Sequence, residues 1–413
     1  MAAVLCYSQA AGQKFLKRVT ENALNTTERA VNKKIDKHIE ETIADEERGD
    51  NNRANLPSDG KKEQTETVNV KGVRKYDFVQ GATVLYSEDF RQDETGAFPL
   101  KWFTQSSGIT DEIEGHEGKW LHMMPGGKYL SPIIALKDNY TIEFDVVADI
   151  PQRGYLPAEF EFRLIDNGIG DKAVKDYYFK IQNDFGFTLY PYPAKSQLKM
   201  TAYENGRESF RTPVTGVTSY LEKKGKKVHF ALQVQGSRLR LWIDEEKVVD
   251  APTVIPTGSK FNQMVFSMST TSYTVDEIAY YLTNIRLASG MADTRSKLIT
   301  EGKLSTTGIT FANNSDVITP ESSGTIKNIA EAMKQVPDMK VMITGHTDNI
   351  GQNSSNQLLS EKRAAAVKKA LVKDYSIDDS RIQTSGKGAS APVADNNSAA
   401  GKAANRRVEF NRI

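Results

Sequence analysis

The residues best placed to do chemistry lie in GHTDNIGQNSSNQLLSEKRAAAV, residues 345–367. One acid, Asp348, follows an apolar strand-like run, and one guanidinium, Arg363, falls inside a helix-like run downstream. The polar loop between them carries Gly345 and Gly351, which let it turn sharply. Asp348 is expected just beyond the carboxyl end of a strand, where open α/β sheets place ligands. Asn356, Ser360 and Arg363 then share one helix face, spread over ~10 Å at 3.6 residues per turn. Leu359, Ala366, Ala370 and Leu371 are expected to hold that helix on the sheet. A carboxylate and a guanidinium held apart suit a zwitterion: Asp348 takes the ammonium, and Arg363 grips the carboxylate with its two-pronged donor geometry. A plain salt bridge between the two, or separate solvation, competes on the same spacing. No general base, metal ligand or nucleophile stands beside them, so catalysis is not implied.

The elements around this stretch alternate. GITF (308–311), KVMITG (340–345), RIQTSG (381–386) and RRVEFNRI (406–413) read as strands. A helix is expected to start at Pro320 with Thr319 as its N-cap and Glu321 near its positive end. Ile326, Ile329, Ala330, Met333 and Val336 would form its apolar face. A second helix is expected over about 355–373. The β-α-β-α-β order predicts an α/β sandwich.

Four blocks now line up: GHTDNIG, NQLLSEKRA, GKG at 386–388 and NRRVEF at 405–410. In order and spacing they resemble the OmpA-like peptidoglycan-binding domain shared with Pal and MotB, over 308–413. The resemblance implies noncovalent binding of diaminopimelate in the wall peptide. Asp348 and Arg363 map onto the acid and arginine that bind its free ammonium and carboxylate. Asn356 maps onto the asparagine after the loop and Thr347 onto the threonine before the acid. The neighbourhood of Leu359 and Ser360 lines the pocket in relatives. Asn405, Arg406 and Arg407 map onto the Asn-Arg-Arg block, with Arg406 near the ligand. His346 is expected to shape the loop. The sequence departs from the pattern at Ser355, where an aromatic is frequent, and at Lys387 in GKG. Neither change touches the Asp/Arg pair; both bear on affinity.

Upstream, from 76 to 290, the pattern is period two. YTIEFDVVADI, AEFEFRLID, VHFALQVQG, LRLWID and YYLTNIRLA are short alternating runs broken by Gly, Pro, Asn and Asp. They predict a half-buried antiparallel sandwich. EDFRQDETGAFPLKW, RLRLWIDEEKVVD and YYLTNIRLASG resemble the concanavalin/laminin-G type of jelly roll. The arms are too short and too charged for a membrane barrel. A jelly-roll glycoside hydrolase would use Glu-x-Asp-x-x-Glu. Here EFDVVAD supplies Glu143 and Asp145 but Ala148 at the sixth position, so the two carboxylates read as the outward face of an amphipathic strand. Trp102, Trp120, Trp242 and the tyrosines of DYYF and LYPYP are candidates for stacking on sugar, or for filling the core. The acidic loop DNGIGD lacks EF-hand ligand spacing.

The first 75 residues differ again. MAAVLCYSQAAGQ has Ser8 and Ala10 at the −3 and −1 spacing of a cleavage site, without a basic start, and reads as a truncated signal peptide over 1–10. Residues 11–48 read as a charged amphipathic helix with a narrow apolar stripe, suited to a coiled coil or to self- or outer-membrane association. Residues 49–75 read as a linker.

Composition sets bounds on function. Of 413 residues, Lys+Arg number 54 and Asp+Glu 53, a net charge of +1, so nothing asks for nucleic acid as a partner. Cys6 is the lone cysteine and the five histidines are scattered, so neither a disulfide nor a metal site is expected. No cofactor is expected. The fold class is α+β and multidomain: an N-terminal helix, an antiparallel jelly-roll β-sandwich, a connector over 291–307, and a C-terminal OmpA-like α/β sandwich. The function expected is a non-enzymatic protein of the Gram-negative cell envelope, periplasm or outer membrane. Its partners are peptidoglycan and a ligand of the sandwich. The alternative is a carbohydrate-active or carbohydrate-binding jelly roll tethered to the envelope by the OmpA-like domain.

Overall fold

The computed structural model describes residues 76–136, 139–151, 154–168, 181–192, 196–217, 224–256, 258–290 and 296–413. The leader, charged helix and linker expected over 1–75 lie outside the described residues, as do DYYF and part of DNGIGD.

In chain order the strands up to residue 289 are β1 (Thr83–Glu88), β2 (Phe103–Thr104), β3 (Gly108–Asp111), β4 (Trp120–Met123), β5 (Lys128–Leu130), β6 (Tyr140–Asp149), β7 (Phe160–Ile165), β8 (Asp184–Tyr190), β9 (Gln197–Glu204), β10 (Arg207–Arg211), β11 (Thr215–Gly216), β12 (Lys227–Gln235), β13 (Arg238–Ile243), β14 (Glu246–Ala251), β15 (Gln263–Met268) and β16 (Ala279–Ser289). Among the described residues they make two antiparallel sheets. One runs β14-β13-β12-β6-β16-β4-β3, with β1 also on β16; the other runs β10-β9-β8-β7-β15-β5-β2, with β11 on β9. Alternation drives the pairing of the sheets: Ile142, Phe144 and Val146 of β6 point into a core shared with Phe160 and Phe162 of β7. Phe144 stacks on Phe230 at 5.1 Å and meets Phe266 of the opposite sheet edge-on at 5.0 Å. Trp102, Trp120 and Trp242 are all buried, so none is free to stack on a sugar.

The outer face of the first sheet departs from expectation. Glu143 and Asp145 do point away from the sandwich core, but both are buried, as is His229 beside Asp145. C-terminal residues, Arg363 and Arg406 among them, line the same cavity as these three. Residues 76–80 lie in the same layer. Tyr76 and Phe78 pack on Ala231 and Trp242, and the Trp242 indole donates to Asp77 at 3.0 Å.

The C-terminal elements are β17 (Lys303–Thr306), α1 (Ser323–Gln335), β18 (Val341–Gly345), α2 (Asn353–Tyr375), β19 (Ile382–Gly386), α3 (Ala399–Asn405) and β20 (Val408–Arg412). The sheet order is β17-β20-β18-β19, with β18 and β19 parallel and the other pairs antiparallel. Ile326, Ile329, Ala330 and Met333 of α1 are buried as their spacing predicts.

Two local expectations fail and a third holds only in part. GITF is not a strand: Gly308 N–H donates to the Thr306 hydroxyl and Thr310 N–H to that of Ser322, leaving one isolated bridge, Phe311 to Ile318. The strand forms instead at 303–306, in the segment expected as a connector. Thr319 does not cap with its side chain; its hydroxyl pairs with that of Thr310, and a 3-10 turn, Pro320–Ser322, leads into α1. On α2 the buried stripe is Asn356, Ser360, Ala364, Val367 and Leu371; Leu371 holds the helix as expected and Ala370 packs part-buried on the same core, whereas Leu359 and Ala366 are only half-buried.

Candidate functional site

Asp348 stands three residues past the end of β18, in the loop leading to α2. Its backbone is pinned from several sides. Thr347 N–H donates to Gly388 O at 2.9 Å, and the Thr347 hydroxyl donates to Asp348 O at 2.8 Å. The Asn356 amide donates to Asp348 O at 3.4 Å and Ile350 O at 2.9 Å. Asn356 is therefore a brace for the loop carrying the acid. Gly351 has φ +91°, so it does turn the loop as expected. Gly345 serves a different purpose. Its φ is not positive, but a Cβ there would overlap the carbonyl oxygen of Ser360, so its lack of a side chain lets α2 lie directly on the strand end.

Ser360 lies beneath the site. It is fully buried, and its hydroxyl donates to Gln357 O and accepts from Gly388 N–H, both at 2.8 Å. It lashes α2 to the GKG loop and presents no polar atom to a ligand. Leu359 is half-buried beside it.

The charges do not pair as their spacing alone suggested. Asp348 Oδ2 accepts from Arg406 Nη1 at 2.6 Å, and Oδ1 accepts from Ile350 N–H at 3.1 Å. Arg363 forms no ion pair among the described residues. Its Nε donates to the carbonyl of Ser315 at 2.9 Å, and its guanidinium lies over the Phe311 ring, 4.9 Å from the centroid. Burial lowers its proton affinity, and the nearby Arg406 lowers it further, against the pull of Asp348 and Asp316. The site thus holds an acid shared with one arginine, and a second arginine with no acid of its own.

The rest of the Asn-Arg-Arg block is structural. Asn405 is fully buried and accepts from Val393 and Ala394 N–H at 2.8 and 3.0 Å, fixing the loop before α3. Arg407 pairs with Glu409 at 2.6 Å. His346 N–H donates to Arg407 O at 3.0 Å, and its buried ring lies 3.5 Å from Glu409. Burial and Arg407 keep that ring below its ordinary proton affinity.

Sequence reasoning did not find Phe311 or Ser315. Phe311 was read as a strand residue, and only the polar run ANNSD after it hints at a loop that presents a carbonyl. It also missed the contribution of the sandwich. A cavity of about 510 Å³ is walled on one side by Arg363, Arg406 and Phe311, and on the other by Glu143, His229 and Arg286 of the sandwich.

On that wall, His229 Nδ1 is 2.7 Å from Asp145 and its Nε2 is 3.7 Å from Glu143. Lys227 and Asn284 complete the partners of Asp145 at 3.2 and 2.8 Å. Burial alone would discharge the imidazole; the two carboxylates outweigh it and raise its proton affinity. Asp145 is thus saturated by partners, and Ala148 stands where the second glutamate of a hydrolase pair would be.

Comparison with known proteins bears on the C-terminal part. Residues 310–406 match the OmpA family. Outer membrane porin F of Pseudomonas fluorescens is 48% identical over 101 residues, which is 24% of this chain and 31% of that protein. Outer-membrane lipoprotein YfiB of Pseudomonas aeruginosa is 43% identical over 100 residues, 24% of this chain and 59% of that protein. The chain thus spans about a third of the length of the porin F it matches. Among solved structures, the cell wall anchor of the T6SS from Pseudomonas aeruginosa is 36% identical, covering 25% of this chain and 73% of that one, with a TM-score of 0.23. Residues 310–406 are an OmpA-family domain, joined here to a two-sheet sandwich.

Proposed function

We propose that this chain is a non-enzymatic protein of the Gram-negative cell envelope whose C-terminal domain holds peptidoglycan noncovalently. Arg363 receives a carboxylate of diaminopimelate and Asp348 its ammonium, with Arg406 sharing the Asp348 carboxylate. The observation that carries this reading is the state of Arg363. A half-buried guanidinium held by one carbonyl and one aromatic face keeps most of its five donors unused, and desolvated cations are ordinarily paired. A ligand carboxylate supplies the missing partner. The OmpA-family match and the outer-membrane names of the relatives support the location.

The sandwich is read as a jelly roll of the concanavalin/laminin-G type, acting as a recognition or spacer module that places the outer membrane or a periplasmic assembly at the wall. Its repeated crossing between two sheets supports that reading. Co-sedimentation with purified diaminopimelate-type sacculi tests the proposal: the full chain is expected in the pellet, and Arg363→Ala in the supernatant. Equal retention of both would overturn the assignment.

A further inference from the structure

The cavity beside the arginines has a second wall that no OmpA-family residue supplies. Arg286 of β16 stands on it because the strand is bulged. The register of β16 against β6 shifts between Thr283 and Arg286, and Asn284 takes φ +52°. The extra residue keeps Ile285 and Leu287 in the sandwich core and turns Arg286 outward, opposite Glu143.

Arg286 is poorly satisfied there. Nη2 donates to Thr307 O at 3.3 Å, while Nε is closed off from solvent without a partner. No carboxylate among the described residues lies within ion-pairing distance. Glu143 comes nearest in register, but its closest cationic neighbour is His229. Burial lowers the guanidinium to a pKa of about 10, Glu143 pulling the other way and Arg406 adding to the fall. On the remaining wall Arg406 and Arg407 have acids of their own and Arg363 has none. One cavity therefore holds two guanidiniums, each lacking an ion-paired carboxylate among the described residues. A lone buried cation is costly, and a planar fork of donors fits a carboxylate best.

We propose that Arg286 is a second anion anchor of the wall-peptide site, taking a ligand carboxylate other than the one on Arg363. The ligand class is a stem peptide that offers, besides a diaminopimelate carboxylate for Arg363, the α-carboxylate of the γ-linked glutamate that precedes diaminopimelate. The sandwich then acts as a specificity wall for the OmpA-family domain. This inference rests on the wall-binding reading above.

Titration calorimetry of the full chain with two soluble muramyl tripeptides tests it. The two are identical except that one is amidated at the glutamate α-carboxylate. The wild type is expected to bind the free acid about tenfold more tightly, the scale of one lost charge-assisted contact. Arg286→Gln is expected to bind both peptides alike, at the level of the amidated one, and Arg286→Lys to keep part of the preference. Equal wild-type affinity for the two peptides, or an undiminished preference in Arg286→Gln, overturns the role of Arg286. The ligand comparison needs no variant, so a misfolded Arg286→Gln cannot hide the answer. Absence of wild-type binding to either peptide, or full binding by Arg363→Ala, instead brings down the wall-binding reading, and this inference with it.

Discussion

Arg406 donates to Asp348 at 2.6 Å, and Arg363, the other arginine of the site, donates instead to the carbonyl of Ser315 at 2.9 Å. The site is therefore asymmetric. Its acid is partly neutralised, and its half-buried cation lies over an aromatic face. On the proposed reading, an incoming ammonium would share or displace Arg406 at Asp348, whereas an incoming carboxylate would meet no competing acid at Arg363 among the described residues.

The aromatic face has its own expected effect. Phe311→Ala removes the platform under Arg363 and leaves Ser315 as its protein anchor. A cation–π contact at a partly desolvated site contributes about 1–2 kcal/mol. Sacculus binding is expected to weaken several-fold to about tenfold, alongside some loss of melting temperature because Phe311 also packs on the domain core. Unchanged binding would show that Phe311 does not position the guanidinium.

Gly345→Ala tests the seating of α2. The new methyl would meet the Ser360 carbonyl, so the helix has to lift from β18 and carry Asn356 and Arg363 with it. Overpacking of this kind costs about 1–3 kcal/mol. Chemical denaturation is expected to show that loss together with weaker sacculus binding. A variant as stable and as adhesive as the wild type would contradict the close approach.

The buried pair on the sandwich wall sets a pH window. His229 rises from its ordinary 6.5 to about 10: burial opposes the charge, and Asp145 and Glu143, with Glu321 further off, outweigh it. Its contribution to stability is fully present below about pH 6.5 and drains away as pH climbs toward 10. Asp145 falls from 3.8 to about 2: burial opposes this too, and His229, Lys227 and Asn284 outweigh it. Its contribution is fully present above about pH 4 and is lost as pH falls toward 2. Thermal melts are expected to show the highest stability between these limits. His229→Gln should flatten the alkaline decline; an equally steep decline in that variant would remove His229 as its cause.

Much of this was legible in the sequence, for reasons that can be named. KVMITG has the apolar run of a buried strand, RVEF alternates as a half-buried one, and α1 has a clean stripe of Ile326, Ile329, Ala330 and Met333. What was hidden depends on distant partners. YYLTNIRLA reads as plain alternation, and the bulge between Thr283 and Arg286 emerges only from the pairing of β16 with β6. Ser360 reads as a pocket-lining hydroxyl until Gly388 arrives from another loop to take it up. Glu143 and Asp145 read as an exposed face because the strand pattern cannot show the C-terminal residues that line a cavity with it. Arg406 could be mapped near the ligand by resemblance, but its bond to Asp348 requires the fold to bring together residues 58 apart.

The most direct test of the account is the affinity of the full chain for a soluble diaminopimelate-containing stem peptide, compared with Asp348→Ala and Arg363→Ala by calorimetry. Each substitution removes one side of a charge-assisted grip, and the expected loss is roughly hundredfold, a few kcal/mol. Three equal dissociation constants, in proteins that melt alike, would contradict it.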